Sequence, residues 1–114
     1  MATEHSRNLL ELIKPHNLEL IDEKPFNLRT MFVEPKYFKN GEHEEYKCPD
    51  LFLGYRNGLW SVIEMKHSWN SREKAFLQIE SGFKMMVDVF GVPYDNLSCK
   101  LVVYKHGFEY ENYR

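Results

Sequence analysis

Asp50, directly after Pro49, and Glu64, directly before Met65 and Lys66, are the charged residues whose setting in this sequence points to chemistry. Each adjoins an apolar run, Leu51 to Tyr55 behind the aspartate and Leu59 to Ile63 ahead of the glutamate, with one turn between the runs. Two carboxylates on neighbouring strands make a hard-oxygen site for Mg²⁺ or Mn²⁺, and a lysine on the same face sets a cation beside it. That is the minimum apparatus for cutting a phosphodiester. The ion polarises the phosphoryl group and lowers the pKa of its bound water, while the lysine stabilises charge or holds the hydroxide.

Register decides whether the carboxylates meet. A two-residue turn at Asn57-Gly58 would pair Arg56 with Leu59 and set Asp50 opposite Met65, sending Glu64 to the other face. A three-residue loop, Arg56-Asn57-Gly58, with Gly58 left-handed and a bulge, pairs Tyr55 with Leu59 and sets Asp50 opposite Glu64. Cross-strand neighbours have Cβ atoms about 5 Å apart, close enough for two carboxylates to share one ion. Lys66, two positions beyond Glu64, then projects from the same face. The sequence predicts the three-residue loop. Phe52, Trp60 and Val62 share the site's face and Leu51, Leu53, Ile63 and Met65 the reverse, so these strands are expected to be central, with helices on each side of the sheet.

The elements that must hold this hairpin are legible around it. Arg7 to Lys14 has helical spacing of leucines and is stopped by Pro15. Leu18 to Ile21 and Met31 to Phe38 read as extended, and Lys39 to Lys47 as a polar, acidic loop. Asn70 with Glu73 forms a variant capping box for a long helix from about Ser71 to Phe90, ended by Gly91 and Pro93. Cys99 to Lys105 is a last strand, and the tail through Tyr110 and Tyr113 is ambiguous. Along the long helix Phe76, Ile79, Phe83, Val87 and Phe90 form an apolar stripe. Gln78 instead shares a row with Ala75, Gly82 and Val89, small residues that allow close approach to the sheet. It is placed either to touch a metal-bound water or phosphate oxygen, or to cap a strand carbonyl.

Composition bounds the rest. The chain has 114 residues, of which 43% are hydrophobic and 15% aromatic, enough for one domain with a sizeable core. A net charge of −2 and a pI near 6.2 argue against holding nucleic acid by bulk positive charge, so any phosphate contact must be local or use a metal ion. No apolar stretch approaches the roughly 20 residues of a membrane span, and Met1 to Lys14 lacks the pattern of a signal peptide, which reads as intracellular with no membrane association. Cys48 and Cys99 make no disulfide framework and read as buried thiols. His5, His16, His43, His67 and His106 show no zinc spacing. By strand alternation His67 faces away from the site.

Pro49-Asp50, Glu64-Met65-Lys66 one hairpin later and Gln78 in the following helix resemble the PD-(D/E)xK nuclease superfamily. Glu-x-Lys alone is weak, since it also occurs at Glu34-Pro35-Lys36 and Glu45-Tyr46-Lys47; the context of the third triplet carries the likeness. The resemblance spans roughly Arg7 to Lys105, and in length and in its glutamine-bearing helix the chain is most similar to Holliday-junction resolvases and small phage or viral nucleases. It implies a restriction-endonuclease-like α/β domain over residues 1–114: a central mixed sheet of four to five strands flanked by helices, in the order helix, strands, helix, strand. It implies a Mg²⁺- or Mn²⁺-dependent endonuclease acting on nucleic acid, DNA ahead of RNA, branched or junction DNA included. Asp50 and Glu64 would bind the ion, the Met65 carbonyl would complete the shell, and Lys66 would orient or activate water. A first-helix glutamate, Glu11 or else Glu4, would join them, and Ser68 would sit near the substrate phosphate.

Trp69 is a candidate for base contact, and Arg56, Arg72, Lys74 and Lys47 for phosphate contact. Met85, Met86 and Val89 could form an apolar patch for a homodimer. Two other classes stay open. One is a catalytically silent member of the fold that binds nucleic acid or protein, such as a viral accessory factor; the other is an α+β interaction module of unrelated ancestry. Topology separates the latter, because the nuclease order runs the Cys99 strand parallel to the Glu64 strand through a crossover helix.

Overall fold

The computed structural model describes residues 3–21, 27–33, 49–104 and 107–113. Five strands make one mixed sheet in the spatial order of the sequence: β1 (Leu28–Val33), β2 (Leu51–Tyr55), β3 (Trp60–Lys66), β4 (Leu97–Tyr104) and β5 (Phe108–Asn112). The first three run antiparallel to their neighbours, β4 lies parallel to β3, and β5 returns antiparallel to β4. The parallel step needs a crossover, and α3 (Arg72–Asp88) supplies it. This is the expected α/β sheet flanked by helices.

Helices cover both faces because β2 and β3 are apolar on both. On one face α1 (Glu4–Leu12) and α2 (Pro15–Ile21) set Leu9, Leu12, Leu18 and Ile21 against Leu51, Leu53, Ile63, Met65 and Val102. On the other, α3 sets Ile79, Phe83, Met85 and Met86 against Phe52, Val62, Leu97 and Cys99. The division of the hairpin's side chains between faces is the one its alternation predicts.

The hairpin closes through a three-residue loop. Tyr55 N–H donates to the Leu59 carbonyl at 2.9 Å, Gly58 N–H donates to the Tyr55 carbonyl at 3.0 Å, and Gly58 takes a φ of +85°. Leu59 N–H also donates to the Asn57 side-chain oxygen at 3.0 Å, which braces the turn. Leu51 pairs with Ile63 and Gly54 with Trp60, so one step further Asp50 stands opposite Glu64.

Several local expectations are corrected. Leu18 to Ile21 is helix rather than strand: Pro15 is the first residue of α2, where its missing N–H costs nothing, and the spacing of Leu18 and Ile21 buries both. Asn70 does not cap α3; the Ser68 hydroxyl accepts from Asn70 N–H and starts a 3₁₀ turn, Trp69–Ser71, that leads into the helix. The buried stripe of α3 is rotated from the one expected, toward Ala75, Ile79, Gly82 and Met86, and Phe90 is exposed. The reason is Gly82, which lets the helix come down on Pro49: a Cβ built there would lie 2.3 Å from Pro49 Cγ. Met85 and Met86 are consequently core residues and cannot supply a dimer patch. The ambiguous tail is the edge strand β5. Residues 34–38, the Lys39 to Lys47 loop, Cys48 and Lys105 lie outside the described residues.

Candidate active site

Asp50 and Glu64 meet at the end of the sheet where β2 begins and β3 ends. Asp50 precedes the first residue of β2, and its Oδ2 accepts the Met65 N–H at 2.8 Å in place of the next ladder bond. That bond fixes the carboxylate beside its cross-strand neighbour. Glu64, inside β3, is only 1% exposed, and the two carboxyls are within hydrogen-bonding reach of each other. Glu64 Oε2 is buried without a hydrogen-bond partner among the described residues. The second oxygen of Asp50, Oδ1, lies 2.8 Å from His5 Nε2, brought in by the first turn of α1.

Burial pushes the Glu64 carboxyl up to about 10, reinforced by the hydrogen bond to Asp50 and by its charge, against the smaller opposing charge of Lys66. Burial also raises Asp50, but the His5 hydrogen bond, the Glu64 hydrogen bond, the Met65 N–H and the charge of His5 together outweigh it, leaving Asp50 below the usual range. The pair therefore carries one proton, held on Glu64. A desolvated carboxyl pair with an unpartnered oxygen is costly in an apolar wall and well matched to a hard cation, which takes oxygen ligands and displaces the shared proton. The donor set fits such an ion: Asp50, Glu64 and the adjoining Met65 carbonyl. Among the described residues no three His, Cys, Asp or Glu side chains form a closed cage, so part of the shell would be carbonyl, water or substrate oxygen.

The other residues singled out from sequence divide. Lys66 is half-buried at the end of β3, and its charge acts on Glu64. Gln78 is half-buried one turn before Gly82, the point where α3 presses on Pro49, so its helix runs beside the site. Glu11 is not at the site. It is exposed and paired with Lys14 at 2.7 Å, since residue 11 falls on the outer face of α1; Glu4 is exposed as well. Arg56 sits at the hairpin tip, beside Leu28 and Arg29, and six residues of strand at about 3.3 Å each put it about 20 Å from Asp50. Trp69 and Arg72 flank the site but are engaged by β5: Trp69 Nε1 donates to Glu109 at 3.2 Å, and Arg72 pairs with Glu111. Ser68 is used as the cap described above, and Lys74 is exposed.

His5 is the residue at this site that zinc spacing could not reveal. A signal was present, because His5 lies one turn before Leu9 on the face that also carries Leu12, the face α1 buries. His67, exposed past the end of β3, stands edge-on to it with ring centroids 6.0 Å apart. An apolar hollow of about 190 Å³, lined in part by Phe83, Tyr94 and Cys99, shares no residue with this site.

Comparison of the chain with protein-family models, curated proteins and solved structures gives no match.

Proposed function

We propose that the protein is a Mg²⁺- or Mn²⁺-dependent nuclease that hydrolyses phosphodiester bonds, DNA ahead of RNA, with Asp50 and Glu64 as its metal-binding carboxylates. The observation that carries this is the buried Asp50–Glu64 pair with its unpartnered Glu64 oxygen. Support also comes from topology: a β3–α3–β4 parallel crossover directly after the Glu64-Met65-Lys66 strand is the order of the PD-(D/E)xK superfamily and not what an unrelated α+β module requires.

In this reading Asp50 and Glu64 hold the ion from two sides, with the Met65 carbonyl as a third oxygen. When bound, the ion would polarise the phosphoryl group and acidify water. Lys66, on the same strand face as Glu64, stabilises the charge that develops on the attacking oxygen or the phosphate. Gln78, on the helix that packs on Pro49, orients water or a phosphate oxygen. Trp69 and Arg72 reach nucleic acid only if they exchange their β5 glutamates for it.

Cleavage of linear, branched and single-stranded DNA and RNA, with and without Mg²⁺ or Mn²⁺, tests the proposal. Asp50→Ala and Glu64→Ala should abolish cleavage while the circular-dichroism spectrum stays that of the wild type. Full activity in either variant removes the mechanism, and metal-independent binding of nucleic acid without cleavage would favour the silent member of the fold.

A further inference from the structure

We propose that His5 is a third side-chain ligand of the ion held by Asp50 and Glu64, and that its imidazole makes the site prefer Mn²⁺ over Mg²⁺. The inference rests on the metal-site reading above and adds to it a residue and a selectivity. His5 Nε2 already stands 2.8 Å from Asp50 Oδ1. Two neighbouring ligands at right angles on an octahedral ion, each with a bond of about 2.1 Å, are themselves about 3 Å apart. The imidazole and the carboxylate oxygen are thus spaced as adjacent ligands before any ion arrives. Asp50 touches both His5 and Glu64, so it is the centre of the set.

The backbone that delivers His5 is well built. Thr3 caps α1, its hydroxyl accepting the Ser6 N–H at 3.1 Å, and Leu9 and Leu12 lock the helix to the sheet. The ring stands edge-on to His67, which limits its rotation. The glutamates of the same helix point elsewhere, since Glu11 pairs with Lys14 and Glu4 is exposed, so His5 is the α1 side chain with a contact to the pair.

The chemistry of the donor sets the selectivity. Mg²⁺ prefers oxygen ligands and gives up water reluctantly, so an imidazole adds little to its binding. Divalent ions from Mn²⁺ onward accept imidazole nitrogen with increasing affinity. Exchanging a carboxylate for His5 at the third position therefore favours Mn²⁺ without excluding Mg²⁺.

Calorimetric titration of the full chain with Mn²⁺ and with Mg²⁺, for wild type, His5→Ala, His5→Gln and Glu64→Gln, tests the proposal. Pulsed electron paramagnetic resonance of bound Mn²⁺ reports directly coordinated nitrogen. The wild type should bind Mn²⁺ more tightly than Mg²⁺ and show nitrogen coupling. His5→Ala and His5→Gln should weaken Mn²⁺ by at least about tenfold, the cost commonly seen even for groups one step removed from a metal, and leave Mg²⁺ within about twofold. Glu64→Gln should lose both ions. Unchanged or tighter Mn²⁺ binding in the His5 variants, or no nitrogen coupling in the wild type, overturns the role of His5 and leaves the carboxylate site standing. Failure of the wild type to bind either ion overturns both. The nitrogen signal requires no variant, so a His5 variant that misfolds does not shield the proposal.

Discussion

Glu64 keeps a proton that its unfolded counterpart gives up, and this has a sign. The folded carboxyl is held near 10, whereas a free glutamate titrates near 4.5. Between those values the folded state binds more protons, so this residue's contribution to stability falls as pH rises, by at most on the order of 1 kcal/mol per pH unit. In metal-free buffer Glu64→Gln should gain stability relative to wild type as pH is raised from 6 to 9, measured by urea unfolding at each pH; a constant difference would show that Glu64 is ionised in the folded protein. Asp50, held below its ordinary range, works in the opposite direction, its contribution being lost as pH falls through its folded value. Because the ion must displace the proton on Glu64, Mn²⁺ affinity should climb with pH by up to about tenfold per unit. Asp50, Glu64 and Lys66 were legible at this scale because turn chemistry and alternation determine which side chains meet. His5 was not, since a long-range contact between a first-turn histidine and a residue 45 positions away leaves no local spacing to read. Glu11 failed as a candidate because a helical wheel places residues on faces only once the buried face is known.

At the scale of elements, two glycines set the geometry of the site. Gly58, with φ at +85°, permits the three-residue loop on which register depends. Gly58→Ala should cost about 1–2 kcal/mol, read as a lowered urea midpoint. Gly82 lets α3 rest on Pro49, the residue before Asp50. In Gly82→Val the added carbons collide with the Pro49 ring, and a loss of about 1–3 kcal/mol is expected, with weaker Mn²⁺ binding as Asp50 is displaced. Normal stability and metal affinity in that variant would show that the helix does not support the carboxylate. By contrast Arg56→Ala, at the far end of β2, should leave cleavage unchanged at saturating substrate. The hairpin, α3 and β4 were readable from apolar runs and punctuation. The second helix was not, because Pro15 both stops α1 and starts α2, and the seven residues of α2 are too few for a periodic pattern. The tail's identity as β5 depends on β4 as its partner, which no local propensity encodes.

For the whole molecule, the consequence of the fold is a sheet sealed by helices on both faces with one buried charged pair at its end. The apolar hairpin runs implied this layering, and the parallel β3–β4 step followed from strand, long helix, strand. The masking of one face by α1 and α2 rather than by one helix did not follow, for the reason given for Pro15. An ion that binds the folded state alone stabilises it by about 2.7 kcal/mol at a hundredfold excess over its dissociation constant, which raises the melting temperature by several degrees in a domain of this size. The same Mn²⁺ concentration should not shift the melting temperature of Asp50→Asn. The most direct test of the central claim is cleavage itself: wild type, Asp50→Asn and Glu64→Gln incubated with linear, branched and single-stranded DNA and RNA in Mn²⁺, in Mg²⁺ and in chelator. The account predicts metal-dependent cleavage of at least one DNA substrate by the wild type alone; cleavage that persists in chelator, or in either carboxylate variant, would contradict it.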